Sequence, residues 1–145
     1  MIIREFTPAD LKRVFEIENM SFERSYGIKM FQSLYDMGVG FLVAENDGYV
    51  IGYVIFWLKY DNQGHIISLA VDKNYRRLGV GRKLLARAVS ILSLLDIHTI
   101  YLEVSDKNTS AVEFYKKCDF KVDRIVPGYY GDDGAIIMFL PLNRS

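Results

Sequence analysis

The chain has 145 residues, of which half are hydrophobic and 14% aromatic, enough apolar surface for one compact domain over residues 1–145 and too much for a disordered chain. Eighteen Lys and Arg offset eighteen Asp and Glu, so no global field draws nucleic acid or an anionic membrane, and charge-based recognition has to be local. The single cysteine, Cys118, excludes an intramolecular disulfide and a Cys-rich zinc site and fits a reducing, cytoplasmic setting.

The N-terminus "MIIREFTPADLKRVF" lacks the unbroken apolar core of a signal peptide, and no stretch approaches the roughly 18 apolar residues of a membrane span. "IIREF" (2–6) reads as a strand. Thr7 and Pro8 supply an N-cap and a proline at the first helical position, predicting a helix from Pro8 to about Met20 with Leu11, Val14, Phe15, Ile17 and Glu18 at helical spacing. A second helix is expected over Ile28 to Met37, presenting Phe31, Leu34 and Tyr35 before Gly38 stops it. "FLVAENDGYVIGYVIFWLKY" holds two β-rich runs split by Asn46-Asp47-Gly48, a hairpin signal over residues 40–60.

After a turn at "DNQG" (61–64), "HIISLAV" (65–71) reads as a largely buried strand. A helix from about Gly79 puts Leu84, Leu85, Ala88, Ile91, Leu92 and Leu95 on its apolar side. "HTIYLEV" (98–104) is a strand and "NTSAVEFYKKC" (108–118) a short helix. "FKVDRIV" and "AIIMFLPL" are strands flanking "PGYYGDDG". The order β-α-α-β-β-β-α-β-α-β-β predicts an α/β class protein, a mixed sheet with helices packed on it.

The segment with the clearest chemistry is "NYRRLGVGRKLL" (74–85), two glycines and four basic residues where a strand gives way to a helix. A helix N-terminus presents N–H groups without intrahelical partners and a partial positive charge, the requirements for holding phosphate. Gly79 and Gly81 let the backbone approach, and Arg76, Arg77, Arg82 and Lys83 can add charge-assisted hydrogen bonds. A solvated basic turn is the plainer reading of these residues. A Walker loop is excluded because G-x-x-x-x-G-K-[ST] does not occur. The dinucleotide fingerprint is excluded because Leu84 stands at the place of its third glycine.

With the strand "SLAV" before it, Arg76-Arg77-Leu78-Gly79-Val80-Gly81 resembles the R/Q-x-x-G-x-G/A signature of the GNAT N-acetyltransferases. The stretches "HIISLAVDKNYRRLGVGRKLL", "LEVSDKNTSAVEFYKKCDF" and "GYYGDDGAIIMFLPL" are similar to the protein N-terminal acetyltransferases, the ribosomal-protein alanine acetyltransferase and its archaeal relatives among them. The resemblance covers essentially the whole chain and implies a three-layer fold. It also implies acetyl-CoA as co-substrate, no metal, and transfer to the α-amine of a protein or peptide by direct attack in a ternary complex. The expected partner is a protein N-terminus, such as that of a ribosomal protein or nascent chain, with no nucleic acid or membrane partner and a monomer or weak dimer as the assembly. Acetylation of a lysine side chain or small amine, and a non-catalytic acyl-CoA sensor, are the other two readings.

By the same resemblance, backbone groups of Leu69, Ala70 and Val71 pair with the pantetheine arm, and the pyrophosphate sits on the amides of residues 77–82. Those residues are Arg77, Leu78, Gly79, Val80, Gly81 and Arg82, with Arg76 before them. Asn108 either contacts the cofactor arm or only caps a helix. Glu103 in "LEV" is the implied base and Tyr115 in "VEFYKK" the implied acid. Burial at the end of an apolar strand is expected to raise the pKa of Glu103. On residues alone, Tyr115 fits an amphipathic core position, and Glu103 fits an outward charge sharing a face with Tyr101. His65 is a second candidate base, whereas Cys118 has no evident partner histidine in sequence.

On the acceptor side "SFERSYG" (21–27) and "GYY" resemble the peptide-covering segments of N-terminal acetyltransferases, so Phe22, Glu23, Tyr26, Tyr129 and Tyr130 are expected to form the slot for the first residues of a chain. As plainer readings, the aromatic rings cover the sheet edge and Glu23 is a solvated charge. One departure stands out. Asp119 occupies the place where relatives commonly carry glycine, predicting a left-handed helix terminus at a cost of about 1 kcal/mol.

Overall fold

The computed structural model describes residues 1–22, 27–59 and 62–142. Strands β1 (Ile2–Glu5), β2 (Gly40–Asn46), β3 (Tyr49–Lys59), β4 (Gln63–Val71), β5 (Thr99–Ser105), β6 (Lys121–Tyr130) and β7 (Asp133–Pro141) alternate with helices α1 (Leu11–Ser21), α2 (Ile28–Asp36), α3 (Val80–Ser93) and α4 (Thr109–Lys117). This is the element order read from the sequence, and the strands lie in the order β1-β2-β3-β4-β5-β7-β6. The chain forms two compact units, Met1–Trp57 with Ser68–Ile91, and Leu58–Ile67 with Leu92–Ser145.

The first unit is built on the β1-β2-β3 ladder. The hairpin turns where the sequence placed it: Asn46 pairs with Tyr49, and Asp47 (φ 51°) and Gly48 (φ 81°) take the left-handed conformations of a two-residue primed turn. Because β3 alternates while both its faces are covered, "VIGYVIF" is buried without interruption. On one face Phe31 of α2 meets Phe41 and Tyr53, with centroids 6.3 and 5.8 Å away. On the other lies Gly52, where an added Cβ would stand 3.0 Å from Leu84 and 3.4 Å from Val80 of α3. Helices therefore cover both faces of this sheet, as a three-layer arrangement requires.

The helix expected from Pro8 begins instead as a 3-10 turn, Pro8–Asp10, before α1 proper. The Asp10 carboxylate accepts the Thr7 N–H at 2.8 Å and two bonds from Arg4 at 2.9 and 3.0 Å, which fixes the tight turn. In α3, Leu84, Leu85, Ala88 and Leu92 are buried as the periodicity implies. Ile91 is not, because the buried stripe is narrower than the apolar run, and Leu95, expected on the same helix, lies beyond its end at Ser93 and is exposed.

In the second unit β4 and β5 run parallel through Gln63↔Thr99, Gly64↔Ile100 and His65↔Tyr101. Both strands continue past that ladder, β4 to Val71 and β5 to Ser105. Gln63 and Gly64, read as turn residues, belong to the strand. Gly64 is required there because a Cβ would approach Leu92 at 3.1 Å and Ile100 at 3.3 Å. Burial along β4 alternates strictly, so the strand is half-covered and not largely buried as expected from its composition. β5 pairs antiparallel with β7, and β7 with β6. The closing hairpin is tighter than the sequence implied: Tyr129 and Tyr130 lie at the end of β6, with Tyr130 opposite Asp133.

α4 ends in a Schellman motif. Phe120 N–H reaches the Tyr115 carbonyl and Asp119 N–H the Lys116 carbonyl, each at 3.0 Å. Asp119 takes φ 73°, the left-handed geometry expected of it, and Phe120 packs on Tyr115 with ring centroids 5.7 Å apart.

Candidate active site

The phosphate-loop candidate lies in the first unit. Between β4 and α3 the chain makes a 3-10 turn at Lys73–Tyr75 and then passes through two left-handed residues, Arg77 (φ 66°) and Gly79 (φ 82°). No atom comes within 4 Å of a Cβ built on Gly79, so glycine serves the backbone conformation there and not the space around it. The first intrahelical bond runs from Lys83 N–H to the Gly79 carbonyl at 3.1 Å, which leaves the amides of Val80, Gly81 and Arg82 in the open first turn of a 14-residue helix. Arg77, Leu78, Gly79 and Arg82 are exposed, Gly81 is half-buried, and Val80 is buried. This is an accessible, positively charged cradle of backbone amides that fits a diphosphate.

Two features of this loop lie outside the sequence reading. Asp72, 3% exposed, accepts from Arg13 of α1 and from the Asn74 N–H. Arg76 turns back, its Nε donating to the Val71 carbonyl and its guanidinium to Ser21 Oγ, both at 3.0 Å. Nothing in the spacing of "VDKNYRR" signals either contact, since both depend on where α1 packs. On β4, Leu69 and Val71 are half-buried, while Ala70 is buried with its neighbour Ser68, whose hydroxyl meets Tyr53 Oη at 3.0 Å.

The chemical candidates lie in the second unit. His65 on β4 and Glu103 on β5 were weighed as alternative bases, and the structure joins them: His65 Nε2 stands 2.8 Å from Glu103 Oε2. Tyr129 donates to the other oxygen, Oε1, at 3.4 Å. The alternation of β5 buries Ile100, Leu102 and Val104 and turns Tyr101 and Glu103 to the opposite, partly open face. The expected direction for Glu103 is reversed. Burial pushes its carboxyl upward, but the hydrogen bond and charge of His65, then Lys59 and the Tyr129 hydroxyl, outweigh it and hold the group below the ordinary glutamate range. Glu103 is thus a partly sheltered carboxylate that stays ionised.

Tyr115, on α4, is 8% exposed, with its ring edge-on to Phe114 and Phe120. Burial first, then Cys118 and Tyr130 nearby, raises its phenol far above the usual range, so it carries its proton at any physiological pH. Asn108 caps α4, its Oδ1 accepting the Ala111 N–H at 3.2 Å. Tyr129 and Tyr130 stack edge to face at 4.8 Å; Tyr129 is half exposed, and its own ionisation is raised by burial and by the Glu103 carboxylate. Phe22 is half-buried at the end of α1. The other two acceptor candidates, Glu23 and Tyr26, lie outside the described residues. Cys118 is half-buried at the end of α4. Among the described residues no cluster of three or more His, Cys, Asp or Glu is placed to hold a metal, and no helix is long and apolar enough to cross a membrane.

The chain as a whole is similar to known proteins. An uncharacterized N-acetyltransferase of Methanocaldococcus jannaschii is 38% identical over 95% of this chain and 90% of that protein. An N-alpha-acetyltransferase of Sulfurisphaera tokodaii is 30% identical over 97% of this chain and 92% of that protein. Among solved structures, Ard1 from Thermoplasma volcanium superposes with a TM-score of 0.93 at 30% identity, covering 99% of this chain and 98% of the other. The model of the acetyltransferase (GNAT) family matches residues 11–120. With the amide cradle at the start of α3 and a family match spanning most of the sequence, the chain belongs to the GNAT acetyltransferases.

Proposed function

We propose that residues 1–145 form a single acetyltransferase domain that moves the acetyl group of acetyl-CoA to the N-terminal α-amine of a polypeptide. The observation that carries this reading is the carboxylate of Glu103, kept ionised beside His65 and Tyr129 on the open face of β5. An α-amine is largely protonated near neutral pH and must lose a proton before it can attack. Glu103, directly or through His65, takes that proton. Acetyl-CoA, when bound, supplies an activated acyl thioester. The N–C bond forms as the C–S bond breaks. Tyr115, which burial keeps protonated, gives its proton to the departing sulfur, and the second proton that the nitrogen sheds on becoming an amide restores the Tyr115 hydroxyl.

For the cofactor, the amides of residues 77–82 and the charges of Arg77 and Arg82 hold the diphosphate, and the backbone of Leu69, Ala70 and Val71 pairs with the pantetheine arm. Asn108 caps α4. Tyr129 and Tyr130 line the acceptor side in the second unit, Phe22 is the acceptor candidate of the first, and the N-alpha-acetyltransferase relative supports a polypeptide acceptor. One cysteine in the chain agrees with work in a reducing cytoplasm.

The test is a panel of short peptides, ribosomal-protein and nascent-chain N-termini included, incubated with acetyl-CoA while thiol release is followed and the modified atom is located by mass spectrometry. Acetyl on the α-amine, abolished by blocking the N-terminus, is the expected result. Turnover confined to N-blocked, lysine-containing peptides or to small amines would replace the reading by the side-chain alternative. Tight acetyl-CoA binding without turnover would mark a sensor.

A further inference from the structure

The loop between β4 and α3 adopts a backbone that does not hold itself. Arg77 has φ 66° without being glycine, a conformation that costs about 1 kcal/mol and persists only where the surroundings impose it. Two arginine contacts join this loop to α1, the helix packed beside it: one from Arg13 of α1 and one from Arg76 of the loop.

The first runs through Asp72, whose polar groups are all engaged. Its N–H donates to the Ile51 carbonyl and its carbonyl accepts from Tyr75 N–H, both at 2.8 Å. One carboxylate oxygen takes the Asn74 N–H at 2.9 Å, and the other takes Arg13. The Arg13 side chain is 13% exposed and that of Asp72 4%. Arg13 is itself fixed on two further sides. Its Nε donates to the Val50 carbonyl at 2.8 Å, and its guanidinium lies 4.2 Å from the ring centre of Tyr49. The start of the loop is thereby tied to α1 and to the β2–β3 hairpin.

The second contact is Arg76. Its guanidinium spans the end of β4, at the Val71 carbonyl, and the end of α1, at Ser21 Oγ. Ser21 is held in turn by its own bond to the Ile17 carbonyl at 2.9 Å. Arg76 is exposed, yet its guanidinium is engaged by the chain's own Val71 carbonyl and Ser21 hydroxyl.

We infer that Arg13 and Asp72, together with Arg76 and Ser21, are positioning residues for the diphosphate of coenzyme A, with α1 splinting the loop whose amides bind it, and that Arg76 is an internal strut and not a ligand of the phosphates. This deepens the acetyl-CoA reading and rests on it. Only an arginine reaches two acceptors at once through a planar fork, so the strut depends on shape, whereas a phosphate contact depends on charge.

The experiment titrates the full chain and its variants with acetyl-CoA and with S-acetyl-pantetheine, which lacks the diphosphate and nucleotide, and records KM and kcat for a responsive peptide. Ser21→Ala, Arg76→Ala and Arg76→Lys are each expected to weaken acetyl-CoA by roughly 3- to 10-fold, the scale of one lost hydrogen bond. The double variant Ser21→Ala with Arg76→Ala should be no worse than the weaker single. Asp72→Asn, which keeps an acceptor for Asn74 N–H but drops the charge facing Arg13, should cost about tenfold or more. Binding of S-acetyl-pantetheine and kcat at saturating acetyl-CoA should hold within about twofold, and the melting temperature of Ser21→Ala should stay within about 4 °C. If Ser21→Ala and Arg76→Lys bind acetyl-CoA as the unaltered protein does while Arg76→Ala does not, Arg76 is a phosphate ligand and the inference is overturned while the acetyl-CoA reading stands. Failure of the unaltered protein to bind acetyl-CoA removes both.

Discussion

His65 on β4 and Glu103 on β5 meet at 2.8 Å, Glu103 lying two residues beyond Tyr101, which the register sets opposite His65. A diagonal contact of this kind across parallel strands joins an imidazole to a carboxylate that stays ionised. Glu103→Gln is expected to lower kcat/KM by roughly 10²- to 10⁴-fold, the usual contribution of a general base, with little change in melting temperature. The Glu103 carboxyl lies below its ordinary value of about 4.3 because burial, which raises it, is outweighed by His65 together with Lys59 and Tyr129. Replacing His65 by alanine leaves burial less opposed, so the carboxyl rises and the acid limb of the pH–rate profile shifts to higher pH. A limb that stays in place in His65→Ala would show that Glu103 is not the group being titrated.

Tyr115→Phe removes one oxygen from a buried ring and leaves its packing on Phe114 and Phe120. Stability should change by less than about 1.5 kcal/mol, while kcat falls roughly 10²-fold as the proton donor for sulfur is lost. A thioester with a more acidic leaving thiol should recover part of that loss, and pre-steady-state thiol release is the measurement that checks it.

Gly79→Ala meets no steric obstacle, since nothing lies within 4 Å of the added methyl. At φ 82° it nevertheless strains the backbone by about 1 kcal/mol. The expected outcome is a several-fold rise in KM for acetyl-CoA with kcat nearly intact, read from initial rates at saturating peptide.

Asp119 holds φ 73° at the end of α4. Asp119→Gly should stabilise the protein by up to about 1 kcal/mol, and Asp119→Val should destabilise it by at least as much. Urea unfolding followed by circular dichroism distinguishes these outcomes, and initial rates should be unchanged in the glycine variant.

Asp10, 8% exposed, has its carboxyl lowered: burial raises it, but the hydrogen bonds of Arg4 and of the Thr7 amide prevail. A carboxyl depressed by folding adds stability above its unfolded value of about 4, and that contribution disappears as pH falls through the lower folded value. Asp10→Asn should therefore cost about 1–3 kcal/mol at neutral pH. The gap from the unaltered protein should close below pH 4, in urea titrations run across that range.

Local signals determined much of this protein. The hairpin at Asp47-Gly48, the helix break at Gly38, the left-handed Asp119, the alternation of β5 and the amide cradle at Gly79 all follow from short-range sterics and periodicity, which a sequence carries within a few residues. Tertiary structure decided which distant residues meet. His65 and Glu103 are 38 positions apart and Arg13 and Asp72 are 59 apart, and no periodicity encodes that a β4 imidazole faces a β5 carboxylate or that α1 lies behind the loop between β4 and α3. The ionisation of Glu103 went the same way: composition around "YLEVS" indicates burial and an upward shift, yet the nearby cation and hydrogen bonds that reverse it come from strands and a hairpin far along the chain. Pairing and electrostatics act through space, so they became definite only once the sheet had set its register.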